Sequence, residues 1–175
     1  MVLAHNYKLE KYDPEILREY DIRGIVDKNL TVNTAYTIGL TFGNVVHSQS
    51  SSKTIVVGYD GRLSSPKLHE ALCRGLVESG LQVTSIGMCS TPMIYFAHYH
   101  LNSDAAVMVT GSHNPPQYNG FKLVLHHHSF FANNIQKLQE LTSSIELNQN
   151  NGTLEFINLS KEYVIRNMQN INLTK

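Results

Sequence analysis

The stretch AAVMVTGSHNPP, residues 105–116, decides the fold class of this chain. Its opening, Ala105 to Val109, is apolar throughout. The run is too short for a helix and lacks the polar alternation of a half-exposed strand, so it reads as a strand buried on both faces. Thr110-Gly111 stops it, and Pro115-Pro116 fix the exit of the loop that follows.

Moving outward, the same pattern recurs. Lys53 leads into Ile55-Val56-Val57, a second buried strand ending at Gly58, and Gln82 to Ile86 reads as a third. Between them Ser65-Pro66 opens a helix with Leu68, Ala71, Leu72 and Leu76 on one face and Gly80 as its terminator. Thr91-Pro92 starts a short helix through Ala97. From Asn33, Ala35, Ile38, Phe42 and Val45 fall at helical spacing, followed by the polar tract His47 to Ser52 as a loop. Asp21 to Val26 reads as a short extended piece broken by Gly24, and Asn119-Gly120 as a turn leading into a strand over Phe121 to Leu125. Ile135, Leu138, Leu141 and Ile145 form another helical face. A polar stretch from Asn148 to Gly152, a strand at Leu154 to Ile157 and a helix over Ser160 to Met168 complete the chain. Buried strands alternating with helices predict an α/β fold, a three-layer α/β/α sandwich around a mixed, mostly parallel sheet.

The chain has 175 residues with 42% hydrophobic content, enough for one domain with its own core and too short for two full-sized ones. Lys plus Arg number 14 and Asp plus Glu number 14. No summed basic field therefore points to nucleic acid or an anionic membrane surface. No segment reaches the ~20 apolar residues of a membrane span, and the start lacks the apolar run of a signal peptide, so a cytoplasmic protein is expected. Cys73 and Cys89 have no CxxC spacing and read as reduced, mostly buried thiols.

Ligands in open α/β sheets gather outside the carboxyl ends of the strands, which selects three segments: Glu19 to Gly24, Gly58 to Pro66 and Thr110 to Pro116. Ser112 stands between Gly111, which permits close approach, and His113, which can donate to an anion or handle a proton. Such a loop can hold a nucleophilic or phosphorylated serine in one pose, with Asn114 and backbone N–H groups bonding its oxygens. The plainer alternatives are a turn serine, local salt bridges of Arg23 with Asp21 and of Arg62 with Asp60, and a solvated Lys122. His126-His127-His128 cannot converge on one metal from a strand and read as an exposed polar strand end.

Thr-Gly-Ser-His-Asn-Pro at 110–115, followed by Asn119-Gly120-Phe121-Lys122, resembles the active-site serine loop of the α-D-phosphohexomutases, the phosphoglucomutase and phosphomannomutase family. Tyr20-Asp21-Ile22-Arg23-Gly24, Gly58-Tyr59-Asp60-Gly61-Arg62 with Ser64-Ser65-Pro66, and Gly87 with Thr91-Pro92 resemble further family motifs in the same order. Gly111 stands where the family more often has alanine, a change expected to preserve the loop.

The resemblance implies that Ser112 carries a phosphoryl group and, through its phosphate, ligates Mg²⁺. It implies acid and base roles for His113 and Lys122, a phosphate-steadying role for Arg23, and substrate or phosphate contacts from Tyr20, Asn114 and Arg62. The substrate would be a hexose phosphate such as mannose or glucose 1- or 6-phosphate. The resemblance covers only the family's first domain, with residues 1–11 as an N-terminal extension, 12–157 as domain I, and 158–175 as a linker and the start of domain II. The Asp-x-Asp-x-Asp metal loop of the second domain does not occur. An inactive fragment is therefore expected, completed by a separately encoded remainder, with an apolar surface where the next domain would dock. A non-catalytic remnant and a phosphate-binding α/β module are the alternatives.

Overall fold

The computed structural model describes residues 7–145 and 152–169. Residues 1–6 of the expected extension, the polar stretch 148–151 and the tail 170–175 lie outside the described residues. After a short 3-10 turn at Pro14–Ile16, the elements run β1 (Ile22–Ile25), α1 (Val32–Gln49), β2 (Thr54–Tyr59), α2 (Ser65–Glu78), β3 (Gln82–Met88), α3 (Thr91–His100), β4 (Ala105–Val109), β5 (Tyr118–Leu125), β6 (His128–Phe130), α4 (Asn133–Leu141), β7 (Thr153–Phe156) and α5 (Ser160–Met168).

The strands form one mixed sheet in the order β1-β5-β4-β2-β3-β7, with β6 also on β5. β4, β2, β3 and β7 are parallel neighbours. β5 is antiparallel to β1, β4 and β6, so among the described strands β5 alone opposes the common direction. Residue parity divides the core between the two faces. Ile55, Val57, Ala105, Val107 and Val109 pack with α1, α2 and α4, whereas Val56, Ala106, Met108 and Val124 pack with α3 and Tyr163 of α5. The uninterrupted apolar runs thus mark strands covered on both sides, and the three-layer α/β/α arrangement follows.

Several boundaries differ from the sequence reading, each for a physical reason. α1 continues through His47 to Gln49, because Val46 is buried in the core and carries the polar last turn with it; the Ser50 N–H closes that turn on the Val46 carbonyl. Gly24 does not break β1 but pairs with Asn119. α3 runs on to His100, and α4 ends at Leu141, leaving Ile145 packed on the core beyond it. Asn119-Gly120 is no turn: both residues lie inside β5. The histidine cluster is exposed, as expected, but forms a hairpin turn rather than a strand end. His126 and His127 both adopt positive φ, 48° and 64°, the requirement of a tight primed turn between strands, and β6 follows from it.

Among the described residues no helix is long and apolar enough to cross a membrane. Phe156 of β7 and Val164, Ile165 and Met168 of α5 are exposed. Cys73 and Cys89 are both free thiols, the first buried and the second half-buried.

Candidate active site

The loops after β2 and β4 meet at the carboxyl end of the sheet, where the Asp60 N–H bonds the Val109 carbonyl. Ser112 is exposed and adopts φ 51°, a left-handed conformation that a side chain disfavours. Its Oγ lies 3.1 Å from His113 Nδ1, and its N–H donates to Thr110 Oγ1 at 2.9 Å. The loop is gripped from β2 by Arg62, whose guanidinium donates to the carbonyls of Ser112 (3.0 Å), Asn114 (2.7 Å), Pro115 (2.9 Å) and Tyr118 (3.1 Å). Arg62 Nε also faces Asp60 Oδ2 at 3.3 Å, so the local salt bridge is present. Arg62 is thereby turned onto the loop's own backbone.

Asp60 completes the grip, accepting from Ser65 Oγ at 2.5 Å and from the N–H groups of Arg62 and Gly111 at 3.1 and 3.2 Å. Burial pushes the Asp60 carboxyl up, but these hydrogen bonds and one from Thr110 outweigh it and hold it below the ordinary 3.8. The backbone N–H groups expected to face a phosphate are committed inward: Gly111 to Asp60, Ser112 to Thr110 and Asn114 to the Gly111 carbonyl. The Asn114 amide likewise donates to Gly111.

Asn119, fully buried, extends the network. Its Nδ2 donates to Ser64 Oγ and Ser65 Oγ, each at 2.9 Å, linking β5 through the start of α2 to Asp60. A buried asparagine inside a strand needs partners, and the Ser64-Ser65 pair supplies them. Sequence reasoning missed this role, although Ser64, Ser65 and Asn119 all fall within the quoted motifs. Gly120 permits β1 to approach, since a Cβ there would lie 2.1 Å from the Ile22 carbonyl oxygen.

A second group forms on the α3 face. Asp21 Oδ2 accepts from Arg23 Nη2 and, at 3.2 Å, from Lys122 Nζ. Arg23 is largely buried, 11% exposed at its side chain, and its Nε has no partner. Tyr20, exposed, stacks on Phe131. Among the described residues no hydrogen bond or ion pair joins this group to the serine loop, but the sheet register relates them. Arg23 pairs with Gly120, whose carbonyl accepts from the Thr110 N–H. Arg23, Gly120 and Thr110 therefore stand in a row across three strands, about 10 Å from end to end by strand spacing. Lys122 lies one pleat along on the same face.

Two hollows flank these groups. One of about 750 Å³ lies on the Arg62 side and is walled by Asp60, Leu63, Lys67, Asn114 and Pro116 among others, but not by Ser112. The other, about 340 Å³, is walled by Tyr20, Tyr95, Lys122, Leu123, Ser129 and Phe131. Among the described residues no group of three or more His, Cys, Asp or Glu could hold a metal ion. The nearby carboxylates are already engaged, Asp60 by Arg62 and Ser65, Asp21 by Arg23 and Lys122.

The chain matches the family model "Phosphoglucomutase/phosphomannomutase, alpha/beta/alpha domain I" over residues 14–149. It is 42% identical over 148 residues to the phosphomannomutase/phosphoglucomutase of Pseudomonas aeruginosa, covering 85% of this chain and 32% of that protein. To the phosphoglucomutase of Neisseria gonorrhoeae it is 46% identical over 124 residues, covering 71% and 27%. A phosphoglucomutase/phosphomannomutase family protein from Burkholderia thailandensis superposes with a TM-score of 0.87 at 37% identity, covering 94% of this chain and 37% of that one. The chain thus spans about a third of the length of the curated relatives it matches.

Proposed function

The chain belongs to the phosphoglucomutase/phosphomannomutase family, as its alpha/beta/alpha domain I, and from that premise we propose that Ser112 is the phosphoryl carrier of a hexose phosphate mutase, an isomerase. In the forward half the Ser112 Oγ–phosphorus bond breaks and a bond to the free 1- or 6-hydroxyl of mannose or glucose phosphate forms. The hydroxyl proton leaves to a base. In the second half the sugar's other oxygen–phosphorus bond breaks and its phosphate returns to Ser112 Oγ, the serine proton leaving to a base and the freed sugar oxygen taking up a proton. His113, 3.1 Å from that Oγ, is placed to exchange the serine proton. Lys122 is the second acid–base candidate, and Arg23 and Lys122, tied together by Asp21, supply positive charge on the α3 face. Tyr20 borders the same face, and Asn114 shapes the loop.

The observation that carries this reading is the pose of Ser112. It is exposed, left-handed, and fixed through its own carbonyl and N–H by Arg62 and Thr110, a backbone outlier of the kind that clusters at functional sites. Phosphoryl transfer is catalysed mainly by positioning and charge neutralisation, and that loop supplies the positioning. Mg²⁺ supplies further charge neutralisation where it is bound. The described residues do not make a Mg²⁺ site by themselves, because a phosphate on Ser112 would be a single ligand and the neighbouring carboxylates are engaged; further ligands would come from outside the described residues.

We expect the chain alone to give no mutase turnover, since lost positioning of the substrate forfeits on the order of 7–11 kcal/mol. The groups that orient the substrate would come from outside the described residues. The test is mass spectrometry of the chain as purified and after prolonged incubation with excess glucose 1,6-bisphosphate, which asks for one phosphoryl transfer per chain rather than turnover. Phosphate on Ser112, absent from Ser112→Ala, is the expected result. A chain that never carries phosphate on Ser112 under either condition refutes the reading.

A further inference from the structure

The segment that carries Tyr20 and Asp21 is held to β1 by the Leu17–Ile22 bridge and the Arg23–Asp21 ion pair, and is fastened at a second place as well. It is strapped to the junction between β6 and α4: the Ala132 N–H donates to the Glu19 carbonyl at 2.6 Å, Gln136 Nε2 donates to the Leu17 carbonyl at 2.7 Å, and the Tyr20 and Phe131 rings stack with centroids 6.4 Å apart and planes at 23°. Ala132 adopts φ 52°, a left-handed conformation that turns the chain sharply where Phe131 meets Tyr20. Both rings remain exposed, Tyr20 at 68% and Phe131 at 46%. Core packing therefore does not account for the stack. The rings instead form walls of the 340 Å³ hollow that Lys122 and Tyr95 also line; Arg23 is not among its walls and is linked to Lys122 through Asp21. That volume lies at the small end of the ~300–1,000 Å³ range of ligand pockets, suited to a single sugar ring.

We propose that Phe131 is a positioning residue that holds the Tyr20 ring as an aromatic wall, against which the C–H face of a hexose phosphate's pyranose ring packs while its phosphate meets Lys122. The proposal rests on the hexose phosphate reading above. An aromatic wall flanked by a cation fits this ligand class: a pyranose presents one apolar face, hydroxyls at its rim and, when phosphorylated, one dianionic end. Phe131 acts through Tyr20, and Tyr20 is the group that touches the sugar.

The test is nuclear magnetic resonance titration of the isotope-labelled full chain with mannose 6-phosphate and, separately, inorganic phosphate. Wild type should prefer the hexose phosphate. Phe131→Ala should lose about two- to tenfold in that preference, the range of an aromatic pair, with inorganic phosphate affinity and melting temperature unchanged. Phe131→Tyr should restore it. Tyr20→Ala should show the same loss, and the double variant no further loss, because the two residues act as one unit. Should Phe131→Ala unfold the chain, Phe131→Leu retains the bulk without the ring and is expected to show the same loss. Unchanged preference in Phe131→Ala, equal loss of both ligands, or additive losses each overturn the proposal. A wild-type chain that binds inorganic phosphate without preferring the sugar phosphate also overturns it, and leaves the Ser112 reading to stand on its phosphorylation test. A chain that binds neither ligand and carries no phosphate on Ser112 overturns both.

Discussion

Removing the Arg62 side chain by Arg62→Ala should unfasten the serine loop while leaving the domain folded. Four loop carbonyls, at 2.7 to 3.1 Å, lose their donor, and Asp60 loses its charge partner. Hydrogen bonds to a charged group contribute about 1.5–3 kcal/mol each, but the four do not count equally. Those to Ser112 and Pro115 are exposed, and water replaces them at little cost. Those to Asn114 and Tyr118 are partly buried, and the Arg62 side chain is only 17% exposed. The loss is therefore about 3 kcal/mol. A loop can open by itself, so this appears first as local opening. Amide hydrogen exchange reads it directly: protection of the Gly111 and Ser112 N–H groups should fall by roughly a hundredfold, with a smaller shift in the global denaturation midpoint. Arg62→Lys should recover part of the protection, since one ammonium cannot span the fork of acceptors. Unchanged exchange at Gly111 in Arg62→Ala would refute the argument that Arg62 holds the loop.

Contrary to the expectation that glycine and alanine are interchangeable at this position, Gly111→Ala should destabilise this chain by about 1–3 kcal/mol, because with Arg62 on the loop the new Cβ would lie 2.4 Å from Arg62 Cζ and 2.8 Å from the Tyr118 carbonyl oxygen. In an Arg62→Ala background the cost should shrink, and equal costs in both backgrounds would count against the clash. Ser112→Gly should raise stability by about 1 kcal/mol in chemical denaturation, since glycine accepts the left-handed conformation without penalty, and should abolish phosphorylation at the site. Burial pushes His69, and burial with the neighbouring His127 pushes His98, down to about 4 from 6.5. The unfolded chain then takes up these protons first, so their contribution is full above pH 6.5 and declines as the pH falls toward 4, by on the order of 3 kcal/mol from each group. Urea denaturation at pH 7 and pH 5 measures this, and equal stability at the two values contradicts it.

Much of the fold was readable because burial leaves a local trace. Ala105–Val109 and Ile55 to Val57 are apolar at every position, as strands packed between two helical layers must be. What escaped was decided at long range. Asn119-Gly120 has the composition of a turn, yet the Asn119 amide answers to Ser64 and Ser65, more than fifty residues earlier, and Gly120 answers to the backbone of β1. The tract His47 to Gln49 looks like loop, but buried Val46 holds it in the helix. In the site, Ser112 and His113 were readable as neighbours in sequence. Arg62 was readable as a cation but not as the clasp of the loop, since its acceptors are backbone carbonyls without a residue signature. Phe131 had no signal at all, because its importance lies in the stack with Tyr20 across the β6–α4 junction.

The charge balance of the site explains why one domain would be insufficient for the chemistry proposed. A phosphoserine carries about −1.5 to −2. The loop's N–H groups at Gly111, Ser112 and Asn114 are bonded inward, so most of the compensation must come from side chains. Arg62 faces Asp60 and leaves no net charge. Arg23 and Lys122 share the one carboxylate of Asp21 and leave a single positive charge, about two strand spacings, ~10 Å, from Thr110 across Gly120. That is roughly half of what a phosphate dianion requires, and at that distance it is weakened by solvent screening. Among the described residues the domain therefore provides geometry in excess and charge in deficit: it would hold a phosphorylated serine in one pose, while the further cations that make its phosphate transferable at a catalytic rate would come from outside those residues.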